Sequence, residues 1–568
     1  MMKEDQIHSA VGFQEGTDSK SAGLRIPHRL EEDSEGSSVS VSVSSFGIGI
    51  RGGYITRSGT QRSHPFKIRF CLCSVYRRKL VSFVIASRLK FNRGRRHRRN
   101  SKSEVGSGDM LPSDIQACNG DRLSELPADV LLNILERVGT LDAVKTCILS
   151  RKMQKLPIML SQIVIDLSPR DLFRKSDVVA DVTNKILSRR PPRITIRKLK
   201  LKFVLSPSRC LSIGKSIGLA MATQKFDAAE FEIMTPVDFH LCTDAYRLLF
   251  AEQFNNFVRD CPDAFAGLMR LHLRNMRFGE SDIPNILSNC KRLESLSFFM
   301  CGVGISSVLH VEHTQLVELV MSYCVFKTVE LTSLPKLQRM TFGDWPCDEN
   351  PLVLGFVPQL SKLSLANPNF SGKTHNLSKL LADAPTVNDL FLEFRSEKIW
   401  VQPECPKVLA PVLAKLRFVN LDHLPEECDI SWTMFLLEAA PSVEDLCITV
   451  WDHKCRKKSH ESYSRKTDVK WEASDPDFKH KNLARLTIYG FQSDDNFTRY
   501  VRRVIQAAVN IRKVSLHDRK VCKLCAEKFP HAEVRPSGYP RTSEEMDLSR
   551  KKMTAASAAA CPDIHFCS

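Results

Sequence analysis

Long apolar runs are missing from this sequence. The longest early one, Leu80 to Ala86, is seven residues, far short of the ~20 needed to span a bilayer, so no membrane partner is expected. A secretory leader is also missing: Met1 to Ala10 is polar and carries Glu4 and Asp5. Cysteine is sparse for a disulfide scaffold. The 19 thiols among 568 residues sit in scattered apolar contexts such as Cys147, Cys301, Cys324 and Cys447, which predicts reduced, buried side chains in the nucleus or the cytoplasm. Catalytic signatures are lacking too. There is no HExxH, no GxSxG and no Walker-type loop, and the 16 histidines show no partner pattern. The expectation is a protein that is not an enzyme, with no catalytic residue, no cofactor and no metal.

What is present suffices to build a core. Apolar residues make up 43% and charged residues 26%, close to ordinary soluble usage. The length exceeds one ordinary globular core and points to several domains or an elongated repeat array. The net charge of +18 is uneven: residues 1–108 hold 20 basic and 9 acidic side chains, a net +11, and the other 460 residues carry +7. The basic balance therefore belongs mostly to an N-terminal extension, and nucleic acid is not expected as a partner of the folded core.

That extension, residues 1–115, is expected to be disordered. It contains a Ser/Val repeat from Ser37 to Ser45 and a basic run from Arg88 to Lys102, whose like charges repel and resist packing. The run reads either as a nuclear-import signal or phosphate-binding arm, or as a solvated tail without a selected role. Gly47-Ile-Gly49-Ile-Arg-Gly52 matches GxGxxG, but no amphipathic helix follows and no acidic residue stands about 20 positions on, so it is read as a decoy.

The composition changes over residues 121–160. Leu123, Leu126, Val130, Leu131, Ile134, Leu135 and Val138 recur at steps of three and four, one apolar face of a helix. Pro127 suits the first turn and Gly139 a stop. Thr140 is expected to cap a second helix with Leu141, Val144, Ile148 and Leu149 inward, and Ser150 a third with Met153, Leu156, Met159 and Leu160 inward. Three such short helices bury too little to stand alone and should complete their core against another protein. The alternative is a terminal cap on the repeats that follow.

Residues 161–480 repeat the template apolar-x-x-apolar-x-apolar. Matches include Leu268-Leu271-Leu273, Leu293-Leu296-Phe298, Leu316-Leu319-Met321, Leu337-Met340-Phe342, Leu360-Leu363-Leu365, Val387-Leu390-Leu392 and Leu413-Leu416-Phe418. From 271 to 416 the central positions step by 25, 23, 21, 23, 27 and 26 residues, the period of leucine-rich repeats. Cys301 and Cys324 fall at the Asn/Cys position. Each unit is a strand plus a return segment, some helical (Asp282 to Cys290, Trp432 to Ala440), so neighbours should stack into a curved solenoid. Outward positions (Lys198, Arg270, His272, Glu294, Glu318, Lys362, Asp389, Glu444, Arg485) carry mixed charge, which suits a protein ligand better than a polyanion.

Two stretches resemble a known family. Leu126-Pro127-Ala-Asp129-Val130-Leu131-Leu-Asn-Ile134-Leu135, with Leu141-Asp142-Ala-Val144-Lys-Thr146-Cys-Ile-Leu149-Ser150-Arg151, resembles an F-box. With the irregular repeats, and with Lys481 to Cys522 similar to an FBD-type region (481–530), the chain resembles the plant F-box/leucine-rich-repeat family over about 121–525. The implied fold is α/β: a short three-helix F-box, then a leucine-rich-repeat solenoid. The implied partners are a Skp-type adaptor, through it a cullin–RING ubiquitin ligase, and an unknown target protein. The implied adaptor-binding residues are Leu126, Pro127, Val130, Leu131, Ile134, Leu135, Leu141, Val144, Leu149 and Met153, with Met153 where the family usually has Trp. A repeat-based scaffold without ligase engagement is the alternative.

Two further motifs stand apart. Cys522-Lys-Leu-Cys525, near His517 and His531, is read as reduced cysteines capping the last repeat, because a structural zinc site needs four ligands. Trp451, Asp452, His453, Cys455 and His460 mark a Lys-rich insertion up to Trp471, either a binding loop or a disordered one. Residues 540–568 are expected to form a disordered tail.

Overall fold

A computed structural model describes the backbone of 39–44 and 47–52, and residues 125–345, 351–366, 374–395, 399–425, 428–450, 471, 475–519, 537–555 and 562–567. The chain divides into two units, Met1–Asp114 and Ile115–Ser568.

In the first unit, β1 (Val39–Ser44) pairs antiparallel with β2 (Gly47–Gly52). The Ser/Val alternation has the two-residue period of a strand, and the GxGxxG match is the partner strand rather than a phosphate loop. The Arg88–Lys102 run lies outside the described residues.

The second unit opens with α1 (Ala128–Val138), preceded by Pro127, with Asp129 in its first turn and Arg137 in its last. Gly139 ends it at φ 84°, a left-handed value that favours glycine. Helix α2 (Thr140–Lys145) follows at once. Thr140 does not cap it, as expected above, but is its first residue: its Oγ1 accepts the Val164 amide at 2.8 Å. The third expected helix is two 3₁₀ turns, Met153–Lys155 and Pro157–Met159, with Ser150 Oγ accepting the Met153 amide.

A single parallel sheet of fourteen strands runs from β3 (Gln162–Ile165) to the C-terminus. Its members in spatial order are β3, β4 (Lys198–Val204), β5 (Ala229–Met234), β6 (Arg270–Arg274), β7 (Ser295–Phe299), β9 (Glu318–Ser322), β11 (Arg339–Gly343), β13 (Lys362–Ala366), β15 (Asp389–Glu393), β17 (Phe418–Leu424), β18 (Asp445–Val450), β19 (Arg485–Tyr489), β20 (Lys513–His517) and β21 (Asp563–Cys567). The order of these strands across the sheet follows their order along the chain, as stacked repeats require. On the return side β8 (Gly302–Glu312), β10 (Val325–Ser333) and β12 (Leu352–Phe356) form a three-stranded parallel ribbon, and β14 (His375–Asn376) pairs with β16 (Val401–Gln402).

Elsewhere the return segments are helices. They are α3 (Pro169–Arg174), α4 (Ser176–Ser188), α5 (Pro207–Thr223), α6 (Asp244–Asp260), α7 (Pro262–Ala266) and α8 (Asp282–Asn289). Further on come α9 (Leu377–Leu380), α10 (Pro406–Leu413), α11 (Met434–Ala439), α12 (Asp495–Ala507) and α13 (Ser543–Thr554). The helical return segments expected near 282 and 432 are α8 and α11.

Register refines one repeat. Leu390 stands opposite Val419, and Leu392 opposite Leu421. The seventh triplet is therefore Leu416-Val419-Leu421, three residues later than the template match. Leu413 closes α10, and its helical spacing extends the strand pattern backwards. The tail is a second correction. Thr542 and Glu545 form a capping box that starts α13, Met553 is fully buried, and β21 adds to β20 as the last strand. The Ala/Ser composition masked the capping box and the Ile564-His-Phe566 alternation.

Candidate functional site

The helical module has its own small core: Leu131, Leu135, Ala143, Met153, Leu156 and Leu160, all buried. Three of the ten residues nominated for adaptor contact, Leu131, Leu135 and Met153, belong to it and present no surface. Met153, where the family usually has Trp, is 1% exposed; it fills the centre of the module. Leu141 and Val144 face the other way and pack against the repeat core. That junction is also polar. Glu136 Oε1 accepts from the Ser161 amide and hydroxyl at 3.0 and 2.6 Å. Arg190 donates to the Ile158 carbonyl at 2.9 Å, and burial lowers its guanidinium to about 10, still charged at neutral pH.

The remaining nominees form the outer surface. Pro127 and Val130 are exposed, and Leu126, Ile134 and Leu149 are half-buried. Pro127, Val130 and Ile134 follow each other at steps of three and four, one stripe of α1. Ile148 (51% exposed) and Met159 (37%) were expected to point inward but join the exposed apolar set. The sequence signal was ambiguous there: a 3₁₀ turn, Thr146–Ile148, replaces the α-helical phase. Burying such a side chain fully is worth about 1.5–3 kcal/mol, so this surface offers a partner several kcal/mol.

The outward side of the sheet is mostly self-matched in charge. Lys200 meets Asp166 and Glu230 at 3.1 and 3.3 Å, and Lys202 meets Glu232 at 2.7 Å. Glu318 takes Arg339 at 3.2 Å, Arg417 pairs with Glu444, and Arg485 with Asp445. Of the nominated outward residues, Arg270 lies 3.9 Å from Glu318, and His272 lies 3.8 Å from Glu230. Lys362 sits 4.0 Å over the Phe391 ring. Lys198 and Glu294 are exposed and Asp389 is half-buried. The exposed pairs among these, such as Arg417 with Glu444, contribute about 0–1 kcal/mol each, so they set the pattern of the face more than its stability.

Among the described residues one carboxylate–imidazole group converges: Glu393, Asp422 and His423, with ligand atoms within 4.8 Å of one another. His423 Nδ1 stands 2.9 and 3.0 Å from the two Glu393 oxygens and 3.6 Å from Asp422. Burial works most strongly against the Glu393 carboxylate, yet the contacts with His423 and Arg395 together outweigh it and hold the group below its ordinary range. Ion pairing accounts for this arrangement.

The described cysteines are all free. Burial pushes Cys290, Cys301 and Cys428 up to about 12, so these thiols stay protonated and are poor nucleophiles. At the repeat's Asn/Cys position Cys301 donates to the Leu273 and Phe299 carbonyls, and Cys324 to those of Phe298 and Ser322. The Cys522–Cys525 pair, His531 and the insertion from Trp451 to His460 lie outside the described residues.

A histidine pattern does exist. Nε2 of His313 and of His480 each sits 3.0 Å from a carbonyl at the end of a return helix, Cys290 and Ala440. Each Nδ1 accepts a backbone amide, from Gln315 and Leu483. Both residues stand five positions ahead of a strand. Burial lowers both imidazoles, only partly opposed by the carbonyl bond. A spacing of 167 residues hid this repeat in the sequence.

A small helical module joined to a strand-and-return solenoid defines an F-box leucine-rich-repeat protein. Comparison with known families agrees. The F-box domain family matches residues 123–161. The family described as "At1g61320/AtMIF1, LRR domain" matches residues 259–555, more than half of the chain, and the chain belongs to that family. Similar proteins from Arabidopsis thaliana include the putative F-box/FBD/LRR-repeat protein At4g13965, 29% identical over 188 residues (31% of this chain, 42% of the relative). The F-box/FBD/LRR-repeat protein At2g26030 is 24% identical over 272 residues (44% and 58%). The F-box/FBD/LRR-repeat protein At4g26340 is 30% identical over 189 residues (31% and 43%). The chain thus spans about half the length of these relatives.

Proposed function

We propose that the chain is the substrate-recognition subunit of a Skp–cullin–F-box ubiquitin ligase. The module would bind a Skp-type adaptor, and the repeat array would hold a target protein for ubiquitination. The observation that carries this reading is the apolar surface of the module. A unit with a core of its own still exposes Pro127, Val130, Ile148 and Met159. Such a surface suits a partner helix or strand. The subunit itself would do no chemistry; holding a target near a recruited conjugating enzyme raises the effective concentration of its lysines. Such a subunit works in the nucleus or the cytoplasm, and protonated buried thiols suit both compartments.

One observation favours a second reading. Leu141, Val144 and Thr140 seat the module on the first strands of the array, as a terminal cap would sit. Co-purification of the full chain with a Skp-type adaptor separates the two. Wild type is expected to bind, and a Val130→Glu/Ile148→Glu variant to fold normally and fail to bind. A well-folded wild type that does not bind leaves the scaffold reading.

A further inference from the structure

The ends of β6 to β9 break the charge matching seen along the rest of the strand face. Around the end of β6 stand three guanidiniums, and one carboxylate pairs with two of them. Asp244, in the first turn of α6, bonds Arg247 at 3.4 Å and Arg277 at 3.1 Å. These two arginines are neighbours, since the Arg277 amide donates to the Arg247 carbonyl at 3.0 Å. Arg274, three residues before Arg277, has no acidic partner among the described residues. Its guanidinium contacts the Met234 sulfur at 3.4 Å and lies 4.6 Å over the Phe299 ring. The group therefore carries two positive charges in excess. Arg247 also keeps its buried Nε without a hydrogen-bond partner.

Half-buried rings continue from this charge along the same edge. Phe239 stands 6.0 Å from Phe299, and Phe299 stands 5.5 Å from Tyr323, both edge to face. Arg395 closes the row, 4.8 Å over the Tyr323 ring, with its charge neutralised by buried Asp344. Tyr323 and Asp344 hold left-handed φ of 55° and 62°, at the turn that ends each of their strands. A bare inorganic anion would use the charge and leave the rings idle. An apolar peptide would leave two guanidiniums unmatched beside it. A chain that carries carboxylates next to a ring or aliphatic group uses both features.

We propose that this edge receives an acidic segment of a partner protein, with carboxylates on Arg274 and Arg277 and an aromatic or aliphatic side chain against Phe299 and Tyr323. This rests on the target-holding half of the function proposed above and is independent of adaptor engagement.

The test is panning the purified full chain with a random dodecapeptide library displayed on phage. Peptides with at least two Asp or Glu beside an aromatic or aliphatic residue are expected to enrich. A representative peptide, remade with a fluorophore, should lose about tenfold in affinity on Arg274→Gln and recover with Arg274→Lys. Lys551→Gln on α13, exposed and remote from β6 in sequence, should leave it unchanged. Matching thermal melts show that each variant is folded. Enriched peptides without acidic bias, equal losses for Arg274→Gln and Lys551→Gln, or polyuridine RNA displacing the peptide through Arg274 would each overturn the proposal. Adaptor co-purification on the same samples keeps the two readings apart: loss of peptide binding with adaptor retained sinks only this inference, and the converse sinks only the ligase reading.

Discussion

The helical module and the repeat array handle the same shortage of apolar burial in opposite ways. The module encloses six buried side chains and leaves apolar groups on its surface. The array lets each strand's inward pair rest on the next, so that one core runs from Ile163 to Ile564. A unit with no neighbour on one side keeps an apolar face for a partner, whereas a stacked unit completes itself and shows charge outward. The difference is the division of labour proposed above: docking at the module, selection along the array.

The largest effect should come from the array. Gly490 follows β19 at φ 79°, and a Cβ there would lie 2.0 Å from the Val450 carbonyl oxygen. Gly490→Ala should cost on the order of 4 kcal/mol in urea unfolding, with adaptor binding by the remaining folded protein unchanged. Parallel loss of both would show that the two regions are not separable. Met153→Ala asks the reverse question. Removing a fully buried methionine should cost about 3 kcal/mol. Adaptor binding should be lost and amide exchange over 128–160 should quicken, while the strands of the array stay protected. Exchange quickening throughout the sheet would contradict the comparison.

Acid should weaken the array next. His313 and His480 have folded values below their unfolded value of about 6.5, so the folded chain binds fewer protons there. Stability is then fully present above that pH and falls as the pH drops below it towards the folded values. A His313→Gln/His480→Gln variant should show a flatter decline between pH 7 and 5. The smallest stability effect belongs to Val130→Glu, within about 0.5 kcal/mol of wild type because the site is already exposed, with adaptor binding lost all the same. A large stability loss there would place Val130 in the core.

Most of the array was legible because strand alternation and a fixed period are written in neighbouring residues, as in Leu268-Leu271-Leu273. Its edges were less so. At Leu413 a helix and a strand share a three-residue spacing, and only register chooses between them. At the tail, composition outweighed a local capping box. The module's helices were legible too, but not which side faced outward. Leu131 and Val130 are adjacent in sequence and equally apolar, and the difference lies in where α2 and the Met153 turn cross α1. The arginine cluster around Asp244 was invisible because it unites α6 with the end of β6, 33 residues apart for Asp244 and Arg277.

The central claim is that adaptor docking is confined to the module. Hydrogen exchange on the full chain, with and without a Skp-type adaptor, tests it most directly. The account predicts adaptor-dependent protection within residues 126–160 and unchanged exchange across β4 to β20. Protection spread over the strand face, or no protection anywhere, would contradict it.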